Sequence, residues 1–360
     1  MTAMSRSSGF SMACRDKPLA GRILIMSRTQ VLIAALLALL VTAELGAGQA
    51  PSGNKPALEQ ARADPLSAVV RIRAKILPDA RTAATLGTSR EGAGVLIDDK
   101  GLVLTIGYLV IEAAGIEVMG ADGRAAPAQL VGYDFATGFG LVRSAWMPAA
   151  KAIELGDSTL LNESDLVMIA TPDAVSLAYV TSRRMFAGYW EYLLEEAIFT
   201  APPRLDFGGA ALIGRDGRLL GIGSLLVADA AAPQTRSPGN MFVPIDLLKP
   251  ILPDLISQGR SKAPVRPWLG VNLVEVEGQL LVTRVSPESP ADEAGLRAAD
   301  IIVGVGADSV VDLADFYRKV WARGTAGIEV PLKVLRDSRS REIRVRSIDR
   351  QQFLRVKPTY

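Results

Sequence analysis

Between Pro65 and Val243 the chain is a succession of short apolar runs, each ended by Gly, Asp or Pro. SAVVRIRAKIL, GAGVLI, GLVLTI, GIEVMG, AQLVGYD, FGLVRS, DLVMIA, EEAIFTA and RLLGIGSLLV follow one another in this way. Many short strand-like runs with turn signals, and few long amphipathic helices, predict a mainly β sandwich or barrel. The 33 glycines and 21 prolines supply the turns that such a fold needs. Hydrophobic residues make up 49% of the chain and charged residues 22%, a balance able to fill real cores. A length of 360 residues suits two or three domains rather than one.

Beyond these runs the pattern changes. Residues 244–260 (PIDLLKPILPDLISQGR) carry Leu and Ile at helical spacing, interrupted by proline, and SKAPVRP then marks a domain boundary. The last hundred residues mix short strands with two helical patterns, around SPADEAGL and VDLADFYRKVWAR, which reads as α+β. Near the end Ile343 and Val345 alternate with Arg344 and Arg346, the pattern of a half-buried strand with a solvated arginine face.

The N-terminus has the order of an export signal. Arg22 and Arg28 precede the apolar run Val31 to Val41, and small residues follow up to Ala50. The run is short for a membrane span, which needs about 20 residues. Two outcomes stay open: a cleaved signal, or an uncleaved N-terminal anchor, the only route to membrane association. Met26 offers a second start, which would make residues 1–25 an extension. The only cysteine, Cys14, lies there, so the mature chain has no disulfide and no thiol chemistry. Net charge is +2 for the whole chain, and nearly neutral without residues 1–50, which gives no case for nucleic acid.

GAGVLIDDKGLVLTIGYLV (Gly92 to Val110) resembles the pattern G-S-G-V-I-I-D-x-x-G-Y-I-L-T-N-N-H-V-V of the HtrA/Deg family of exported serine proteases. VGYDFATGFGLVR (Val131 to Arg143) resembles the family's V-G-x-D-x-x-x-D-L-A-V-L-K, and LDFGGAALIGRDGRLLGI (Leu205 to Ile222) its G-N-S-G-G-P-L-V-N-x-D-G-x-V-I-G-I. The resemblance covers roughly residues 65–347. It implies a trypsin-like double β-barrel followed by a PDZ domain. The expected organisation is a signal peptide at 1–50, a linker at 51–64, the trypsin-like domain at 65–258, the PDZ domain at 264–347 and a tail at 348–360.

The gapless match sets Tyr108 on the family's catalytic histidine, Gly138 on its aspartate and Gly208 on its serine; a shift of one residue sets Phe207 on the serine instead, and neither is a nucleophile. The whole chain contains no histidine, and a protease of this type needs an imidazole to take the proton from its nucleophile. Asp206 has two readings: a carboxylate beside the oxyanion hole, which would oppose the negative charge of acyl transfer, or a polar turn residue before Gly208. The expectation at this stage is therefore that the chain is not an enzyme, with no catalytic residues, no metal site and no cofactor. The leading reading is a pseudoprotease of the bacterial periplasm that binds peptides or protein partners, as an adaptor, scaffold or chaperone-like factor. The alternatives are an active endopeptidase of periplasmic quality control and a structural subunit of an envelope complex. Homo-oligomer formation is left open.

PWLGVNL (Pro267 to Leu273) resembles the carboxylate-binding loop of HtrA-type PDZ domains, and SPADEAGL (Ser289 to Leu296) a distinctive later part of them. Ala299 stands where that family has glycine before Asp300. The resemblance implies that Trp268, Leu269, Gly270 and Val271 bind the C-termini of peptides or proteins. An extended peptide would pair with a strand edge while loop amides hold its carboxylate. The helix Leu313 to Ala322 would form the other wall. Two readings stand side by side: peptide binding, or a domain that docks only on its own barrel.

Overall fold

The computed structural model describes residues 65–145 and 151–354. The expected signal peptide and linker, Cys14 and the end of the tail lie outside the described residues.

The first barrel contains β1 (Val69–Ile76), β2 (Ser89–Leu96), β3 (Leu102–Ile106), β4 (Ala113–Met119), β5 (Ala125–Tyr133) and β6 (Phe139–Ser144), closed in the order β1-β2-β3-β6-β5-β4. In β1 the apolar residues Val70, Ile72, Ala74 and Ile76 turn inward while Arg73 and Lys75 face solvent. This is the period-two pattern of a strand with one buried face. β3 is buried at every position. It belongs to a core cluster that runs from the first barrel into β9 and the strands beyond it.

The second barrel contains β7 (Leu166–Ala170), β8 (Val175–Gly188), β9 (Tyr192–Ala201), β10 (Ala211–Ile213), β11 (Leu219–Val227) and β12 (Gly239–Pro244), closed in the order β10-β11-β12-β9-β8-β7. β8 was not among the sequence runs. Ser176, Thr181, Ser182, Arg183 and Arg184 dilute its apolar content, and Val175, Leu177 and Tyr179 face outward. The β8–β9 turn reaches the C-terminal domain, where the Leu273 amide donates to the Tyr189 carbonyl. The expected helix after β12 is broken as its prolines require: a 3-10 turn at Ile245–Leu247, then a helix at Leu252–Gln258. Gly259 closes that helix with φ 73°, the left-handed conformation glycine adopts without strain.

The C-terminal domain has its own core. Its sheet contains β13 (Val271–Val276), β14 (Gln279–Val285), β15 (Ile301–Val305), β17 (Glu329–Arg336) and β18 (Arg339–Arg346) in the order β13-β14-β15-β17-β18, with β16 (Asp308–Ser309) beside β15. The helix Leu313–Ala322 is capped by Asp312, whose side chain accepts from the Asp315 amide. β18 ends the sheet with Ile343 and Val345 inward and Arg344 and Arg346 outward, as its alternation predicts. The fold is thus mostly β, two barrels and an α+β sheet domain.

Residues 348–354, expected as part of a tail, are folded. Ile348 bridges to Trp268, and the Phe353 ring lies 4.6 Å from the Trp268 ring. The indole face gives this segment an apolar surface to bury against. Among the described residues no helix is long and apolar enough to cross a membrane.

Candidate functional site

Tyr108 sits on a 3-10 turn, Gly107–Leu109, directly after β3. Its backbone is pinned by the buried Arg90, which donates to the carbonyls of Tyr108 at 2.6 Å and Ile111 at 3.2 Å. Burial pulls that guanidinium below its usual pKa. The Tyr108 hydroxyl crosses to the second barrel and donates to the Ser224 carbonyl at 3.0 Å. Burial pushes the phenol well up, so it stays protonated.

Gly208 lies in the turn before β10, and its carbonyl accepts from the Ala93 amide at 2.8 Å. A Cβ on Gly208 would stand 2.9 Å from the Tyr108 hydroxyl. The next residue, Gly209, has φ 77°, and its Cβ would stand 1.9 Å from the Ala93 carbonyl, so only glycine fits. Gly138 also has positive φ, 82°, and its carbonyl accepts from the Gly107 amide at 2.7 Å. The fold therefore sets Tyr108 against Gly208 and ties Gly138 to the turn that carries Tyr108.

Asp206 lies two residues before Gly208 and is paired within its own turn. Its carboxylate accepts from Arg204 at 2.8 and 2.5 Å and from the Thr171 hydroxyl at 2.8 Å. Burial alone would raise it, but Arg204 and Thr171 hold the carboxyl below its ordinary range. Its charge is met by Arg204 rather than left to oppose charge in the cleft.

The second constellation is in the C-terminal domain. The amide of Leu269 donates to Glu191 Oε2 at 2.9 Å, and those of Gly270 and Val271 donate to Oε1 at 2.7 and 3.0 Å. Three amides thus converge on one carboxylate. Gly270 makes the approach possible, with φ 90° and a Cβ position only 2.3 Å from the Ser289 Cβ. Trp268, expected to take part in the same way, does not offer its amide, which pairs with the Ile348 carbonyl at 3.1 Å. Its ring packs on Phe353 instead. The side chains of Leu269 and Val271 are buried in the domain core.

Glu191 comes from the turn between β8 and β9, at φ 60°. Its own amide donates to the Tyr317 hydroxyl at 3.0 Å, which in turn donates to the Gly188 carbonyl at 2.7 Å. The Leu273 amide of β13 donates to the Tyr189 carbonyl at 3.0 Å, and Leu193 joins the C-terminal domain's core. Arg318 of the helix Leu313–Ala322 pairs with Glu195 at 2.6 Å. The turn therefore lies where the sequence places a peptide, between β13 and that helix. Burial pushes the Glu191 carboxyl above its ordinary range, while the three amides and Arg350 pull it back. A pocket of about 150 Å³ adjoins it, lined in part by Phe135, Arg266, Trp268, Trp321 and Arg350. Sequence reasoning missed Glu191. Its only local signal is an acidic residue among aromatics, YWEY.

Residues 92–222 match the family model for a trypsin-like peptidase domain, and residues 267–346 the model for a PDZ domain. A probable periplasmic serine protease do/HhoA-like of Haemophilus influenzae is 28% identical over 275 residues, covering 71% of this chain and 57% of that protein. The periplasmic serine endoprotease DegP of Escherichia coli K12 is 28% identical over 271 residues, covering 69% and 55%. The chain spans little more than half the length of these curated relatives. Among solved structures, the serine endoprotease from Yersinia pestis is similar with TM-score 0.48 and 24% identity, covering 84% of this chain and 99% of that one. The HtrA-type protease AlgW with tripeptide gives TM-score 0.48 and 22% identity, covering 82% and 96%. The architecture is a trypsin-like peptidase domain followed by a PDZ domain. In the order and kind of its two domains the chain is similar to proteins named HtrA and DegP.

One expectation is corrected here. The chain was expected not to be an enzyme, on the ground of its missing histidine and the residues at 108, 138 and 208. Its relatives carry the names of serine proteases and endoproteases, so that expectation is not supported.

Proposed function

We propose that this chain works in the cell envelope as an HtrA-family protein that recognises the C-terminal carboxylates of peptides or protein partners. Leu269, Gly270 and Val271 would supply the amides, with Trp268 as their support. The role would be that of an adaptor, scaffold or chaperone-like factor. The observation that carries this reading is the convergence of those three amides on a single carboxylate oxygen pair. A backbone arranged to hold a side-chain carboxylate is arranged to hold a terminal one, because the donor geometry and the charge are the same. The envelope location is supported by the signal-like N-terminus and by the periplasmic names of the relatives. The test is fluorescence polarisation of peptides that end in an apolar residue, with free and with amidated C-termini, against the full chain. Binding should be on the order of micromolar or weaker and should need the free carboxylate. Equal binding of the two forms overturns the reading.

The second reading is an endopeptidase of periplasmic quality control, favoured by the names of the relatives. Tyr108, Gly138 and Gly208 would then correspond to the family's three catalytic positions. With no histidine in the sequence, a proton acceptor other than imidazole would have to serve the nucleophile. Cleavage of unfolded casein, with covalent labelling by a fluorophosphonate, would put this reading first.

A further inference from the structure

We infer that Glu191 is an internal ligand of the PDZ loop, so that a partner's C-terminal carboxylate enters only by displacing it. This rests on the proposed recognition of C-termini by the same loop.

Glu191 and its neighbours occupy the loop amides, an amide of β13 and the facing helix. The Glu191 carboxylate takes the Leu269, Gly270 and Val271 amides at 2.7 to 3.0 Å. Two residues earlier, the Tyr189 carbonyl takes the Leu273 amide of β13, which is the backbone pairing by which an added strand joins a sheet edge. On the opposite wall, the Tyr317 hydroxyl accepts from the Glu191 amide and donates to Gly188. Leu193 adds an apolar side chain to the domain core. The loop amides cannot serve two carboxylates at once. A second anion beside Glu191 would also meet like charge in a buried setting, where repulsion is strong.

The occupant is tethered, and this decides the competition. The β8–β9 turn is part of a barrel that also contacts the PDZ helix through Arg318 and Glu195. Its local concentration at the loop therefore far exceeds that of any free peptide. The apparent affinity for a partner falls by the fraction of molecules in which the turn has left. The carboxylate itself is held by three backbone amides, and Glu191 bears a burial penalty that raises its pKa. Displacement by a chain end with its own apolar side chain is therefore within reach. The neighbouring pocket, with Arg350 on its wall, lies next to Glu191.

The experiment compares the full chain with Glu191→Ala and Glu191→Gln, using fluorescein-labelled decapeptides that end in Val, Leu, Ile or Phe with free carboxylates. Glu191→Ala should bind them about tenfold or more tightly, the gain expected if no more than about a tenth of the wild-type molecules are open. Glu191→Gln keeps the shape and one acceptor but no charge, and should fall between. Glu195→Ala, outside the loop, should leave the carboxylate site filled and show a smaller gain than Glu191→Ala. Backbone hydrogen exchange without peptide gives an independent reading: residues 269–271 should be protected in the wild type and lose protection in Glu191→Ala. If peptides bind wild type and both Glu191 variants equally, displacement is overturned and C-terminal recognition stands. If exchange shows the loop emptied yet no peptide binds any variant, recognition of C-termini falls and displacement falls with it. If protection at 269–271 is unchanged in Glu191→Ala, Glu191 is not the occupant.

Discussion

The hydroxyl of Tyr108 stands 2.9 Å from the point where a Cβ on Gly208 would be, so the two residues share one space across the two barrels. The ring cannot simply retreat. Arg90 holds its backbone from one side and the Ser224 carbonyl holds its hydroxyl from the other. Gly208→Ser should therefore cost about 1–3 kcal/mol, the usual price of an added atom in a packed site. In a Tyr108→Ala background the same change should cost clearly less, with a coupling of at least about 0.5 kcal/mol. Thermal melts of the four proteins give the cycle. Equal costs in both backgrounds would show that the two positions do not contend for the same volume.

Gly138 poses a different problem, one of backbone rather than space. Its φ of 82° lies where side chains bring Cβ close to a carbonyl oxygen. The nearest atom to a Cβ there, the Tyr192 hydroxyl, is 3.4 Å away. Gly138→Ala should cost about 1–2 kcal/mol, and Gly138→Asn less, because Asn tolerates this region better. Tyr192→Phe should not rescue the alanine variant. Melting temperatures decide it: an alanine variant as stable as wild type would mean that the turn relaxes out of the left-handed region.

These two glycines show how far the sequence could be read. The run FGLVRS gives β6 to the residue, and alternation in SAVVRIRAKIL gives the buried face of β1. Both signals are local, because strand and turn preferences act within a few residues. The order of barrels and PDZ domain was legible through motifs of the same short range. Glu191 was not, since its partners lie 78 to 80 residues further along the chain. Nothing near Tyr189–Tyr192 encodes that contact except the turn itself. β8 was hidden for a related reason. Its exposed face carries the apolar Val175, Leu177 and Tyr179 opposite the buried Ala178 and Val180, so no contrast of apolar and polar residues marks it. The pairing of the Trp268 amide with the Ile348 carbonyl was not legible either, because that partner lies 80 residues further along the chain.

A pH dependence follows from Asp300. Its carboxylate is buried, with 1% of the residue exposed, and it accepts from Arg336 at 2.6 and 2.7 Å and from the Arg297 amide at 2.9 Å. Burial works to raise its pKa, yet Arg336 and the amide hold it below the ordinary range. A carboxyl with a depressed folded value adds stability above its unfolded pKa, about 3.9. That stability is lost as pH falls through the folded value. The PDZ domain should therefore lose stability below about pH 4. Asp300→Asn should cost about 3 kcal/mol near neutrality, because Arg336 keeps the Gly295 carbonyl but loses the buried opposite charge. The variant's stability should also fall less between pH 5 and pH 2 than that of wild type. Parallel acid titrations of the two proteins, followed by circular dichroism, would refute this if their curves kept the same slope.

Two left-handed positions in the same domain should respond in opposite directions to a change in side chain. Ala299 has φ 72° and is exposed, so its methyl group buries nothing and bears the full backbone strain. Its amide donates to the Val282 carbonyl at 2.8 Å, which fixes it in place. Ala299→Gly should remove the left-handed penalty of about 1–2 kcal/mol. It should also add chain entropy to the unfolded state, of about 0.5–1 kcal/mol. The net effect is a stabilisation of up to about 1.5 kcal/mol. Gly270 has φ 90°, and its Cβ would stand 2.3 Å from the Ser289 Cβ and 2.5 Å from its hydroxyl oxygen. Gly270→Ala must bear both the conformational penalty and the clash, and should lower stability by more than about 2 kcal/mol. It should also turn the Gly270 amide away from Glu191 and expose residues 269–271 to hydrogen exchange. Melting of the single and double variants tests both halves. The effects should add, because one change acts on the turn before β15 and the other on the loop before β13. A Gly270→Ala variant with wild-type stability and wild-type protection of 269–271 would mean that the loop holds its carboxylate without needing the left-handed turn.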